Sequence, residues 1–274
     1  MTDERIAEYL KALENEERAA ATVEKYRRAL LSFAAFLSGA AVTPEMIHLW
    51  KDDLRAGNYA PSTINACLAA LNGFFRFCGW ADCRARFLKI QRRLFRDSKQ
   101  ELTRAEYERL VAAAEAAGDR GLALLMETIC STGIRVSEVQ YITVEAAKNG
   151  KTEIALKGKI RTILLPAKLC RKLLKFATRQ KTASGAIFRT KSGKAMSRYQ
   201  IWSKMKKLCA CAGVDAGKVF PHNLRHLFAT AFYCAYKDIV KLADVLGHSS
   251  IETTRIYLVT SMAEHRRQLE QLKL

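Results

Sequence analysis

The sequence predicts a mainly α-helical protein with one small β-sheet, built as two units, and three observations carry that reading. Apolar residues recur at three-to-four spacing along most of the chain, which is the period of an amphipathic helix. Between Thr152 and Leu165 the apolar residues crowd into the short runs typical of strands. Around residue 90 a run of cations interrupts the helical pattern and marks a linker.

Four helices are expected before residue 81. Ile6 to Leu13 forms the first. Thr22 is the expected cap of the second, in which Val23, Tyr26, Leu30, Phe33 and Leu37 recur until Ser38-Gly39 ends it. Thr43-Pro44-Glu45 opens a third, with an N-cap residue and a proline at the first helical position. Pro61-Ser62-Thr63 introduces a fourth that runs through Leu68, Leu71 and Phe75 to Gly79. Next come Arg84, Arg86, Lys89, Arg92, Arg93, Arg96 and Lys99, with Asp97 the only acid between Arg84 and Lys99, a strap suited to lie along phosphates. A second unit begins at Leu102, where Thr103 and Glu106 have capping-box spacing. It is helical through Cys130 and becomes a hairpin at Thr152–Leu165, whose turn carries Lys157-Gly158-Lys159. From Ala167 the helical pattern resumes, broken at Ser184-Gly185 and Lys191-Ser192-Gly193. The expected division is therefore 1–83, a basic linker at 84–101, and 102–274.

Composition narrows the classes of function. The chain has 274 residues, of which 49% are hydrophobic, enough to bury a core and too many for a disordered protein. Lys and Arg number 46 against 27 Asp and Glu, a net charge of +19 that points to a polyanionic partner. No apolar run approaches the roughly 20 residues of a membrane span, and Met1-Thr2-Asp3-Glu4-Arg5 lacks the start of a signal peptide. A cytoplasmic protein is expected. The eight cysteines include no Cys-x-x-Cys pair and no cluster at metal spacing, so reduced packing thiols and no metal site are expected. Cys209 and Cys211, two apart on a helix, would point in divergent directions. Neither a Gly-rich phosphate loop nor a dinucleotide pattern occurs, and no cofactor is expected.

The chemistry concentrates near the C-terminus. Pro221-His222-Asn223-Leu224-Arg225-His226 is followed by Leu246-Gly247-His248 and then by Tyr257. Thr132-Gly133-Ile134-Arg135-Val136-Ser137-Glu138 supplies a second arginine, on what reads as an apolar helix. Guanidinium forks match phosphate oxygens, so two arginines beside a tyrosine hydroxyl point to attack on a phosphodiester. An ordinary tyrosine, with a pKa of about 10, needs nearby cations and a proton acceptor for that task. His222, one helical turn before Arg225, is the candidate acceptor, and His248 is the candidate hydrogen-bond partner of the phosphate. A hairpin lysine, Lys157 by preference and Lys159 as the alternative, would protonate the leaving oxygen. Taken singly, each of these residues reads as structural; their joint order is the signal. His226, His48 and His265 read as ordinary residues.

At these motifs the chain resembles the tyrosine recombinase family of phage integrases and Xer-like proteins. Thr132–Glu138 is similar to its first-arginine motif, His222–His226 to its His-x-x-Arg-His box, and Leu246–Tyr257 to its Gly-His-to-Tyr segment. The resemblance spans nearly the whole chain. It implies a four-helix, SAM-like core-binding domain followed by a mixed, mostly helical catalytic domain. It also implies that Arg135, Lys157, His222, Arg225, His248 and Tyr257 fill the six catalytic positions, with Glu138 supporting the first arginine. The hairpin is one residue shorter than the family's usual Gly-Lys-Gly version, which keeps Lys159 open.

The implied activity is site-specific recombination or integration. Tyr257 would form a 3′-phosphotyrosine link and free a 5′-hydroxyl that attacks the partner strand, without metal or ATP. Type IB topoisomerase-like relaxation and non-catalytic DNA binding are the alternatives. The implied partners are double-stranded DNA with inverted-repeat core sites and further copies of the chain, as a tetramer on two sites, with no membrane. Lys25, Arg28, Thr63, Asn65, Arg92, Arg93, Arg198, Gln200, Lys204 and Lys207 are the candidate DNA contacts, arranged as a clamp around the duplex. The amphipathic tail from Ser261 would pack on its own chain or on a neighbour. Because the chain starts almost at once with core-binding helices, a compact Xer-like or simple mobile-element enzyme is expected.

Overall fold

Capping chemistry and helix propensity set the ends of the first helices. α1 spans Asp3–Asn15, and α2 spans Ala20–Leu37. The second helix begins before Thr22, with Ala19 at the N-cap and no side-chain cap bond. Thr22 is therefore not the cap: alanine is the strongest helix former, and the Ala19-Ala20-Ala21 run carries the helix back past it. Ser38, left-handed at φ 46°, ends α2. Thr43 Oγ1 accepts from the Met46 N–H at 3.3 Å, and Pro44 opens α3 (Pro44–Ala56). Pro61 likewise opens α4 (Pro61–Phe77). The apolar faces of the four helices meet around Phe33, Trp50, Leu68, Phe74 and Phe75, all buried, with the Phe33 and Trp50 rings 5.0 Å apart.

The computed structural model describes residues 1–90, 100–156, 159–190, 192–248, 250–255, 257 and 270–271. It divides into two units, Met1–Arg92 and Arg93–Leu274. Arg84 to Leu88, the expected start of the linker, is held on α4 by two asparagines. Asn72 exchanges hydrogen bonds with the backbone of Ala85 at 2.8 and 2.9 Å, and Asn65 does the same with Leu88. Each amide imitates one rung of a β-ladder. Arg92, Arg93, Lys157 and most of the expected tail lie outside the described residues.

In the second unit Thr103 and Glu106 complete their capping box at 3.2 and 2.8 Å and start α5 (Arg104–Ala116). α6 (Arg120–Thr132) buries Leu125, Met126 and Ile129 completely and is packed by α5. After a 3₁₀ turn (Val136–Tyr141) and α7 (Val144–Asn149), β1 (Lys151–Leu156) and β2 (Lys159–Leu164) pair antiparallel, with Ile154 opposite Arg161. α8 (Ala167–Arg179), α9 (Arg198–Lys207), α10 (Cys209–Ala212), α11 (Pro221–Tyr236), α12 (Ile239–Leu246) and α13 (Ile251–Arg255) follow, and α11 lies against α6. The fold is thus mainly α with one two-stranded sheet among the described residues. All eight cysteines are free thiols, Cys209 buried and Cys211 exposed. No described helix is long and apolar enough to cross a membrane.

Candidate active site

Arg135 is not on a helix. α6 stops at Thr132 because Gly133 turns left-handed at φ 63°, where a Cβ would run into the Phe228 ring. Arg135 follows in extended conformation and leads into the 3₁₀ turn. There Glu138, buried to 1% exposure, folds back on it: the Arg135 backbone N–H and Nη1 donate to the two carboxylate oxygens at 2.8 and 2.9 Å. Burial pushes the Glu138 carboxyl up, but the bonds from Arg135 and the charge of Arg161 outweigh it and hold the group below its ordinary value. It is therefore an anion at neutral pH, able to orient both cations.

α11 supplies the second arginine. Pro221 occupies its first turn, His222 is exposed, and Arg225, one turn further, is 2% exposed. The Arg225 guanidinium donates through Nη1 to the Gly133 carbonyl and through Nη2 to the Leu246 carbonyl at 2.8 Å and His248 Nε2 at 2.9 Å. Burial first, then Arg135, lowers its pKa to about 10, while its hydrogen bond with Tyr257 pulls the other way. It remains charged at neutral pH. Arg135, His222 and Arg225 all line one cleft of about 510 Å³, together with Ser137, Arg198, Tyr199 and Trp202.

His248 bonds Arg225, and Tyr257 stacks on His248. Since arginine offers only donors, His248 Nε2 must accept from Arg225, which puts the ring proton on Nδ1, 2.9 Å from Thr254 Oγ1. Tyr257 is 5% exposed, with its ring 5.9 Å from His248, stacked, and 4.3 Å from His226, edge on. The tyrosine thus lies within its own chain's cluster of cations.

The profile of the phage integrase family matches residues 100–264, and that of the phage integrase N-terminal SAM-like domain matches residues 6–82. The chain belongs to the phage integrase family of tyrosine recombinases. Among the tyrosine recombinases it is similar to XerD of Xanthomonas campestris, at 30% identity over 94% of this chain and 88% of that protein. It is also similar to XerA of Pyrococcus furiosus, at 29% identity over 100% of this chain and 96% of that one. Both relatives are named recombinases, which favours neither the topoisomerase nor the non-catalytic reading. Solved structures share the fold. A lambda integrase (75–356) dimer bound to a COC′ core site gives a TM-score of 0.75 at 17% identity, covering 93% of this chain and 94% of that one. XerH bound to difH substrate gives 0.71 at 20% identity, covering 97% and 84%.

This tyrosine recombinase brings together five of the six residues matched to catalytic positions: Arg135, His222, Arg225, His248 and Tyr257. Three neighbours not singled out by sequence join them: Arg161, His226 and Thr254. Only the inward side of β2 at Arg161, and the packing of the other two on the site, reveal them. The candidate DNA contacts divide. Lys25, Thr63, Arg198 and Lys207 are exposed. Arg28 pairs with Glu24 at 2.8 Å and Lys204 with Asp119 at 2.7 Å. Gln200 caps α9 through Ser197, and Asn65 has both polar ends bonded to Leu88.

Proposed function

We propose that this protein cuts and rejoins DNA strands at specific sites, with Tyr257 as the nucleophile. The observation that carries the reading is that the buried Tyr257 ring stacks on His248, whose Nε2 accepts from the buried Arg225, while Arg225 and Arg135 line one cleft. Arg135 and Arg225 would hold the non-bridging oxygens of one phosphodiester and meet the charge that builds on them. His222, exposed at the mouth of the same cleft, would take the phenol proton. The Tyr257 oxygen bonds to phosphorus while the bond to the 5′-oxygen breaks. The leaving oxygen takes a proton from a hairpin lysine, Lys157 by preference. One phosphodiester replaces another, so the 5′-hydroxyl of a partner strand can reverse the step without ATP, and the arginines take the part a metal ion plays elsewhere. His248, whose Nε2 accepts from Arg225, would fix that guanidinium more than it donates to the phosphate.

The same reading gives the partners and the arrangement. Duplex DNA with inverted-repeat core sites would be bound by a core-binding unit, 1–83, a basic strap, 84–101, and a catalytic unit, 102–274, as a tetramer on two sites. The lambda integrase tetramer bound to a Holliday junction, which shares the fold, supports that assembly.

The test is covalent capture. Nicked suicide duplexes with randomised arms are incubated with the protein in EDTA, and adducts are separated on a denaturing gel and sequenced. Wild type should give an adduct on a defined site and Tyr257→Phe none. An adduct surviving in Tyr257→Phe would overturn the nucleophile assignment, and abolition by EDTA would overturn the metal-free step.

A further inference from the structure

We propose that Arg161 is a positioning residue of the strand-transfer site: it fixes Glu138 and the end of α12, and it keeps the arginine cluster cationic.

Arg161 stands where β2 would ordinarily place an apolar side chain. Its cross-strand partner Ile154 and its same-face neighbour Ile163 are both buried in the core, and the Arg161 side chain itself is only 12% exposed. A buried guanidinium persists only with partners. It has two: Nη1 donates to Glu138 Oε2, and Nη2 donates to the Val245 carbonyl at 2.9 Å. Nε has no hydrogen-bond partner among the described residues. A buried donor left unpaired is destabilising, so a well-fitted apolar residue would serve stability better. The position is therefore explained by what Arg161 does for its neighbours.

The first effect is geometric. Three successive carbonyls at the C-terminal end of α12 each accept from a different arginine: Val245 from Arg161, Leu246 from Arg225, and Gly247 from Arg135 at 3.3 Å. The C-terminal end of a helix carries partial negative charge and unsatisfied carbonyls, which suits it to receive cations. Gly247, at φ 64°, lies so close to the Arg161 stem that a Cβ there would strike it. Arg161 thus holds the turn that presents His248, and through Glu138 it holds the fork of Arg135.

The second effect is electrostatic. Arg135 and Glu138 alone form a pair without net charge. With Arg161 sharing the carboxylate, the positive charge of Arg135 is left for a phosphate. Three arginines and one carboxylate leave the cluster two positive charges, and loss of Arg161 halves them.

The inference rests on the recombinase reading, and adduct formation by wild type on the captured site is the control for that reading. Four variants are compared in single-turnover cleavage at saturating DNA, in DNA binding and in thermal melting: Arg161→Met, Arg161→Lys, Glu138→Gln and Arg161→Met/Glu138→Gln. Arg161→Met should slow adduct formation about 100-fold, the scale of losing one preorganised charge, while DNA affinity changes less than about threefold. Adding Glu138→Gln to Arg161→Met should recover about 10-fold of the rate, because it removes the carboxylate left without its second cation. A purely structural role would make the double variant worse. If Arg161→Met does not fold, Arg161→Lys carries the test: it keeps the charge but not the fork, and should fall between wild type and the loss expected of Arg161→Met. Cleavage at wild-type rate by Arg161→Met or Arg161→Lys, or a double variant slower than the single one, overturns the inference. No adduct from wild type itself overturns the recombinase reading instead.

Discussion

His248 shows how closely one ring's surroundings fix its chemistry. Burial, followed by the charges of Arg225, Arg135 and Arg161, lowers its pKa from 6.5 to about 4. The imidazole is therefore neutral at any ordinary pH, in the tautomer that Arg225 and Thr254 dictate. The unfolded chain takes up this proton as pH falls through 6.5, whereas the folded chain takes it up only near 4. The contribution to stability is thus fully present above 6.5 and declines as pH drops from 6.5 towards 4. Urea unfolding across that window should show wild type losing more stability than His248→Gln. Equal acid losses in the two proteins would refute it. His222 and Arg225 were legible as a pair because they lie one helical turn apart, and Tyr257 because it closes an ordered series of motifs. Arg161 was not, since a charged residue on a short strand reads as solvent-facing until the strand's partners are known. His226 read as an ordinary histidine, because nothing in its own spacing points to the ring of Tyr257, 31 positions further along.

Among the elements, the β1–β2 hairpin carries the open question of the general acid. A lysine at its turn would deliver a proton to the leaving 5′-oxygen, and that demand can be removed chemically. With sulfur in place of the 5′-bridging oxygen, the leaving group departs as a thiolate and needs no proton. Lys157→Ala should cleave the ordinary captured site about 100-fold slower and recover on the sulfur substrate, whereas Lys159→Ala should show neither effect. The opposite pattern would move the role to Lys159, and normal cleavage by both variants would remove the hairpin from the chemistry. Some elements announced themselves through end signals, such as Thr43-Pro44 for α3 and Thr103 with Glu106 for α5. A distant partner, or a single turn that overrides the apolar period, left less trace. Asn65 was read as a candidate DNA contact on the fourth helix, and no sign in the sequence shows that its amide binds the backbone 23 residues away. Arg135 looked helical because the apolar period runs on past Gly133, although the left-handed turn there breaks it.

At the scale of the whole molecule, a net charge of +19 makes salt the main control of DNA affinity. If six to ten phosphates are neutralised, affinity should fall about 10³ to 10⁵-fold between roughly 50 and 200 mM salt. Lys25, Arg198 and Lys207, exposed and without an ion-pair partner among the described residues, should each lower the logarithmic salt slope by about one when changed to Gln. Arg28 and Lys204, already paired with Glu24 and Asp119, should lower it less. Slopes unchanged in the first three variants would take them off the DNA. Charge at the reacting centre is governed differently, by the three carbonyls that end α12. Because each receives its own arginine, a displacement of that helix end would carry all three guanidiniums together. The three guanidiniums would then lose or regain a shared phosphate together, where separate anchors would let each move alone.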